Sequence, residues 1–121
     1  MIVLVTGDRD LADRAAVRAR LERLPRDALV IHGACHLGGA DALADEEARA
    51  LGMRVKRFPA DWGRYGRGAG PVRNQAMVDS RPDLCVAFVG ALGKDSGTAD
   101  CARRAEAVGI PVEVIVACVG V

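Results

Sequence analysis

The sequence predicts an α/β fold: a five-stranded parallel sheet held between two layers of helices. Three observations carry the prediction. Strand-like and helix-like patterns alternate from end to end, β-α four times and then a closing strand. Three apolar runs, starting at Ile2, Leu29 and Cys85, each end in a glycine-rich turn that leads into a helix-like stretch. The fourth strand-like run, 84–89, is apolar without alternation, as a strand covered on both faces must be.

Each element follows from local chemistry. The first strand is 2–6. Asp10 is the expected N-cap of the first helix, whose apolar face carries Val17, Leu21 and Leu24 before Pro25 stops it. The second strand is 28–32. The second helix starts near Gly39 and turns Ala40, Ala44, Ala48 and Leu51 inward. Asp45, Glu46 and Glu47 occupy its early turns, where negative charge suits the dipole, and Gly52 closes it. The third strand is 54–58. Residues 59–70 hold four glycines and read as an irregular loop, after which Pro71 fits the first turn of a helix reaching Asp79. The last helix spans about 97–108, with Cys101, Ala105 and Val108 inward, and the closing strand is 111–117. No second domain and no internal repeat is visible, so residues 1–121 are expected to form one domain.

Composition narrows the class. Of the 121 residues 50% are hydrophobic but only 3% aromatic, so the core must be Val, Leu, Ile and Ala. Seventeen Lys and Arg against sixteen Asp and Glu leave a net charge of +1, which carries no polyanion-binding signature, so nucleic acid is not an expected partner. No apolar run approaches the roughly 20 residues of a membrane span. Met1 leads straight into a strand without a basic leader, so a soluble cytoplasmic protein is expected. Cys85 and Cys118 fall in apolar runs and read as small buried hydrophobes, not as a disulfide frame.

The chemistry gathers where strands end. In a parallel sheet ligands bind beyond the carboxyl ends of the strands, near the switch in strand order. A glycine turn before a helix lets a ligand approach the backbone and offers it unpaired N–H groups. The first turn, Thr6-Gly7-Asp8-Arg9, lacks the full dinucleotide fingerprint Gly-x-Gly-x-x-Gly; its amides and Arg9 are candidate phosphate contacts. The second turn supplies His32, Gly33, Gly38, Gly39 and Asp41 as pocket candidates. Asp41 either caps its helix or bonds a ribose hydroxyl. His32, Cys35 and His36 match no standard zinc spacing, so no metal is expected. In the third turn Gly93-Lys94-Asp95 fails the P-loop spacing, which excludes ATPase or GTPase chemistry of that type. Ser96, Gly97 and Thr98 at the helix start form an anion cradle.

Residues 62–75 are the least explained by folding. Trp62, the only tryptophan, and Tyr65 lie beside Arg64 and Arg67 in the glycine-rich loop. Trp62 either stacks on a base or anchors the loop to the core. Arg73 and Asn74 open the next helix, and Arg73 is the leading ligand contact because guanidinium matches phosphate bidentately.

Taken together, Val5-Thr-Gly-Asp-Arg9, Gly38-Gly-Ala-Asp41, Pro59-Ala-Asp-Trp62, Gly70-Pro-Val-Arg-Asn74 and Gly97-Thr-Ala-Asp100 resemble the YspA-like branch of the SLOG superfamily, over nearly the whole chain. That superfamily includes the Lonely Guy hydrolases and the DprA/Smf DNA-processing proteins. The resemblance implies a Rossmann-like sheet, a nucleotide or nucleotide-derived ligand of the ADP-ribose, NAD or nucleoside monophosphate kind, and pairing as a homodimer. In the Lonely Guy motif Pro-Gly-Gly-x-Gly-Thr-x-x-Glu, the Gly-Thr pair corresponds to Gly97-Thr98, but the glutamate position falls on Cys101. The expected function is therefore ligand binding, as a sensor or sequestering module. The alternative is a hydrolase cleaving an N-glycosidic or phosphoester bond, with Asp100 or Asp41 as acid/base and Arg73 orienting the phosphate. A third reading is a DNA-associated module.

Overall fold

The computed structural model describes residues 1–35, 38–90 and 96–118, Ser96 by its backbone alone. The elements run β1 (Ile2–Gly7), α1 (Arg14–Glu22), β2 (Leu29–His32), α2 (Gly39–Ala50), β3 (Arg54–Arg57), α3 (Trp62–Tyr65), a 3-10 turn (Gly66–Gly68), α4 (Ala69–Asp79), β4 (Leu84–Val89), α5 (Ser96–Ala107) and β5 (Val112–Val116). All strand pairs are parallel, in the order β3-β2-β1-β4-β5. This is the Rossmann-like arrangement, with the switch in strand order between β1 and β4.

Period-two alternation divides the core. Val3 and Val5 of β1 face one side with Val17 and Leu21 of α1, Ala44 and Ala48 of α2, and Phe88 of β4. Leu4, between them, faces the other side with Met77 of α4 and Cys101 and Ala105 of α5. Small alanines on α2 let that helix lie close to the sheet. The approach is tightest at Gly7, where an added Cβ would stand 2.5 Å from the Ala40 Cβ and 2.6 Å from the Phe88 carbonyl oxygen. Gly39, at φ +67, leaves no room for a side chain against the Asp8–Arg9 backbone. The Ala40 amide donates to the Asp8 carbonyl at 3.2 Å. The start of α2 is thus packed onto the first turn.

Several local expectations are corrected. The N-cap of α1 is Asp13, whose Oδ1 accepts from the Ala16 amide at 3.0 Å, and not Asp10. Leu11 is drawn into the core and the Ala12 amide donates to the Cys118 carbonyl, which delays the helix by three residues. Leu24 is buried but lies just beyond α1. Asp41 does not cap α2, whose N-cap is Gly38; its Oδ2 accepts from the Cys35 amide at 3.0 Å. The loop at 59–70 is not irregular throughout: Asp61 caps α3 through the Arg64 amide, and α4 begins at Ala69, so Pro71 sits within its first turn, where no N–H is needed. Val108 is 61% exposed because α5 ends at Ala107. Cys85 is buried as expected but Cys118, beyond the end of β5, is exposed.

No helix among the described residues is long and apolar enough to cross a membrane.

Candidate functional site

A cavity of about 800 Å³ opens at the carboxyl ends of β1 and β2, under α3 and between the starts of α4 and α5. That volume suits a nucleotide-sized ligand. Nine of the residues expected from sequence line it: Gly7, Arg9, Gly33, Asp41, Trp62, Arg73, Asn74, Gly97 and Thr98. Asp100 is there as well.

Arg73 crosses the floor. It projects from α4 to the β2 turn, where its Nη1 donates to the Gly33 carbonyl and its Nε donates to Asn74 Oδ1 at 2.9 Å. A Cβ added at Gly33 would meet this guanidinium and displace it. Among the described residues Arg73 makes no carboxylate ion pair, and the groups that hold it are the Gly33 carbonyl and the Asn74 side-chain oxygen. Asn74 is buried, and its Nδ2 donates to the Gly97 carbonyl at 3.3 Å and to Asp100 Oδ2 at 3.0 Å. It ties the starts of α4 and α5 together beneath the cavity.

The charge balance favours an anion. Arg9, Arg67, Arg73 and Arg103 face the cavity against Asp41 and Asp100. Asp100 is already committed: it accepts from Asn74, from Arg103 at 2.7 Å and from Arg104 at 2.8 Å. Partial burial raises its pKa, but Arg104 and Asn74 outweigh that and hold the carboxyl below its ordinary value. A carboxylate held ionised in this way is a poor proton donor.

The opposite wall is apolar. Pro59, Ala60, Pro71 and Met77 contribute to it. Trp62 is 51% exposed on the rim, with its ring near Gly70, and is not anchored in the core. Tyr65 instead carries the Arg64 guanidinium over its ring at 5.1 Å and takes no part in the cavity wall.

Other expected contacts lie behind the wall. Asp8 is buried, with Oδ2 accepting from the Gly90 amide at 2.8 Å and Oδ1 from the Thr98 hydroxyl at 3.4 Å; it fastens the ends of β1 and β4 to α5. Gly38 and Gly39 serve the start of α2. His32 is 2% exposed: Nδ1 accepts from the Ala34 amide at 2.9 Å, so Nε2 carries the proton and donates to Asp45 Oδ2 at 2.7 Å. With both nitrogens engaged, His32 has neither to offer a ligand or metal. Ser96 opens α5, and its side chain lies outside the described residues, as do His36 and the Gly93-Lys94-Asp95 segment. Cys101, at the Lonely Guy glutamate position, is fully buried and outside the cavity wall. Its closeness, with burial, pushes the Cys85 thiol well above its usual range.

Sequence reasoning missed Arg103 and Met77 as wall residues. Arg103 shares a helix face with Asp100 at i+3, a spacing that was there to be read. Met77 was read as part of a helix and as following Arg73 in the Lonely Guy match, and not as a wall residue.

Two comparisons with known proteins bear on the family. The family model described as YspA, cpYpsA-related SLOG family matches residues 1–65, which carry β1 through α3. The Gene 61 protein of Mycobacterium phage D29 is 40% identical over 121 residues, an alignment covering 91% of this chain and 92% of that protein. The similarity to the phage protein thus extends past the stretch the family model covers. The chain belongs to the YspA, cpYpsA-related SLOG family.

Proposed function

We propose that the protein binds a phosphate-bearing nucleotide or nucleotide derivative in this cavity, as a sensor or sequestering module. The observation that carries the reading is Arg73: a half-buried guanidinium fixed on the cavity floor by Gly33 and Asn74, facing the start of α5. A phosphoryl group there meets a fixed cation and the positive end of a helix. Trp62 and the proline-lined wall receive the base or ribose. Membership of the SLOG family supports a nucleotide-related ligand. The partner is a small molecule in the cytoplasm, not nucleic acid, consistent with the net charge of +1.

In the hydrolase reading Asp100 is a poor proton donor, because Arg104 and Asn74 hold its carboxyl below the ordinary value. Asp41 remains at the wall. Thermal unfolding with AMP, ADP-ribose, NAD, cyclic nucleotides and single-stranded DNA tests the proposal, since a ligand that binds only the folded state raises apparent stability. The expected result is stabilisation by a phosphorylated nucleoside, absent in Arg73→Ala. Stabilisation by single-stranded DNA alone, or equal shifts in wild type and variant, would overturn it. Chromatography of the same mixtures reads any turnover.

A further inference from the structure

The second glycine turn, whose Gly33 and Ala34 line the cavity, carries a strained residue. Ala34 has φ +51, a left-handed conformation that costs a non-glycine residue free energy and persists only where the surroundings impose it. Two side chains impose it. His32 Nδ1 takes the Ala34 amide at 2.9 Å, and Asp41 Oδ2 takes the next amide, Cys35, at 3.0 Å. Gly33 lies between His32 and Ala34, and its carbonyl is the acceptor that holds Arg73.

His32 is itself fixed from behind. Asp45 accepts its Nε2 proton and is clamped by Arg57, at 2.7 and 3.0 Å, and by Arg49 at 2.7 Å. The backbone of His32 is pinned too, with its carbonyl accepting from the Phe58 amide at 2.9 Å. An unbroken set of hydrogen bonds therefore runs from the β3 edge through Asp45, His32 and the Ala34 turn to the guanidinium on the cavity floor.

We infer that His32 is a positioning residue for the anion site: through its Nδ1 it holds the strained Ala34 turn that aims the Gly33 carbonyl at Arg73. The inference rests on the nucleotide-binding reading for its effect on affinity, but not for its effect on the turn. The two ring nitrogens do different work. Nε2 ties the ring to Asp45 and contributes to folding stability. Nδ1 shapes the turn and sets the position of Arg73.

Two amide side chains separate these tasks. Asparagine places its Oδ1 two bonds from Cβ, as Nδ1 is, and keeps an acceptor for the Ala34 amide. Glutamine places its Nε2 three bonds from Cβ, as the histidine Nε2 is, and keeps the donor to Asp45. The experiment compares His32→Asn and His32→Gln with wild type, by calorimetric titration with AMP and ADP-ribose and by thermal unfolding. His32→Gln is expected to unfold near the wild-type temperature yet bind about tenfold more weakly. His32→Asn is expected to unfold earlier while recovering most of the affinity. Affinity that follows unfolding temperature in both variants, or His32→Gln binding like wild type, would overturn the inference. If neither probe binds wild type, the functional reading fails for those ligands, and amide hydrogen exchange of the free protein decides. The Ala34 amide is then expected to be protected in wild type and His32→Asn and to exchange quickly in His32→Gln. Equal protection in both variants would overturn the inference without reference to any ligand.

Discussion

The starts of α2 and α5 look alike in sequence and do opposite things. Each follows a strand and a glycine-rich turn, and each has the composition of an anion cradle. At α2 the space is filled: Gly7 and Gly39 let helix, sheet and the first turn close onto one another, and the Ala40 amide is used by the Asp8 carbonyl. At α5, Gly97 and Thr98 face a cavity that Arg73 enters from the other side. Glycine permits close approach, but whether what approaches is the protein or a ligand depends on the neighbouring element. Alanines on α2 bring the closed end together. At the other end the loop and short helix at 59–68 contribute Pro59, Ala60, Trp62 and Arg67 to the cavity wall.

This contrast can be broken at the closed end first. Gly7→Ala drives a methyl group into Ala40 and the Phe88 carbonyl, and should lower folding stability by about 3 kcal/mol, read by denaturant titration. A smaller loss than about 1 kcal/mol would mean that the closed end is loosely packed. At the open end, Arg73→Ala should leave folding nearly unchanged while weakening binding of a phosphorylated nucleoside by about 2 kcal/mol.

Asp45, behind the open end, gives a pH signature. Arg57 is the largest influence on it; burial opposes, and His32 and Arg49 assist, so its pKa in the folded protein lies well below the ordinary value of 3.8. A carboxyl lowered on folding stabilises the protein above its unfolded pKa and loses that contribution as acid protonates it. Asp45→Asn should therefore cost about 2 kcal/mol at neutral pH, and the gap from wild type should narrow below about pH 4. A gap independent of pH would assign the loss to packing. The smallest effect is expected on the rim. Trp62 is half exposed, so Trp62→Ala should cost about 1 kcal/mol of nucleotide affinity and almost no stability, measured by titration and thermal unfolding together.

The alternation of apolar runs and turn residues was enough to give the sheet, its parallel strands and the place of the cavity, because these depend on local periodicity and on a general rule of parallel sheets. Arg73, Asn74 and Gly97 were legible because they lie at helix starts near the strand ends, where a parallel sheet places its cavity. Asp8 and His32 were misplaced. Both sit next to glycine turns, but one fastens β4 and α5 while the other is braced by Asp45, thirteen residues on. Such partners are set by how α2 and β3 pack, which no spacing near His32 records. The first helix cap failed similarly, since a distant carbonyl, that of Cys118, holds the chain extended past Asp10. The structure of the 59–70 stretch was hidden by its glycines, which weaken every local signal while leaving short helices possible.

The most direct measurement is calorimetric titration of AMP and of adenosine into wild type and Arg73→Ala. The account predicts that wild type binds AMP well above adenosine, and that the variant loses this preference while keeping its weak affinity for adenosine. Equal binding of AMP and adenosine by wild type, or a phosphate preference that survives in Arg73→Ala, would contradict it.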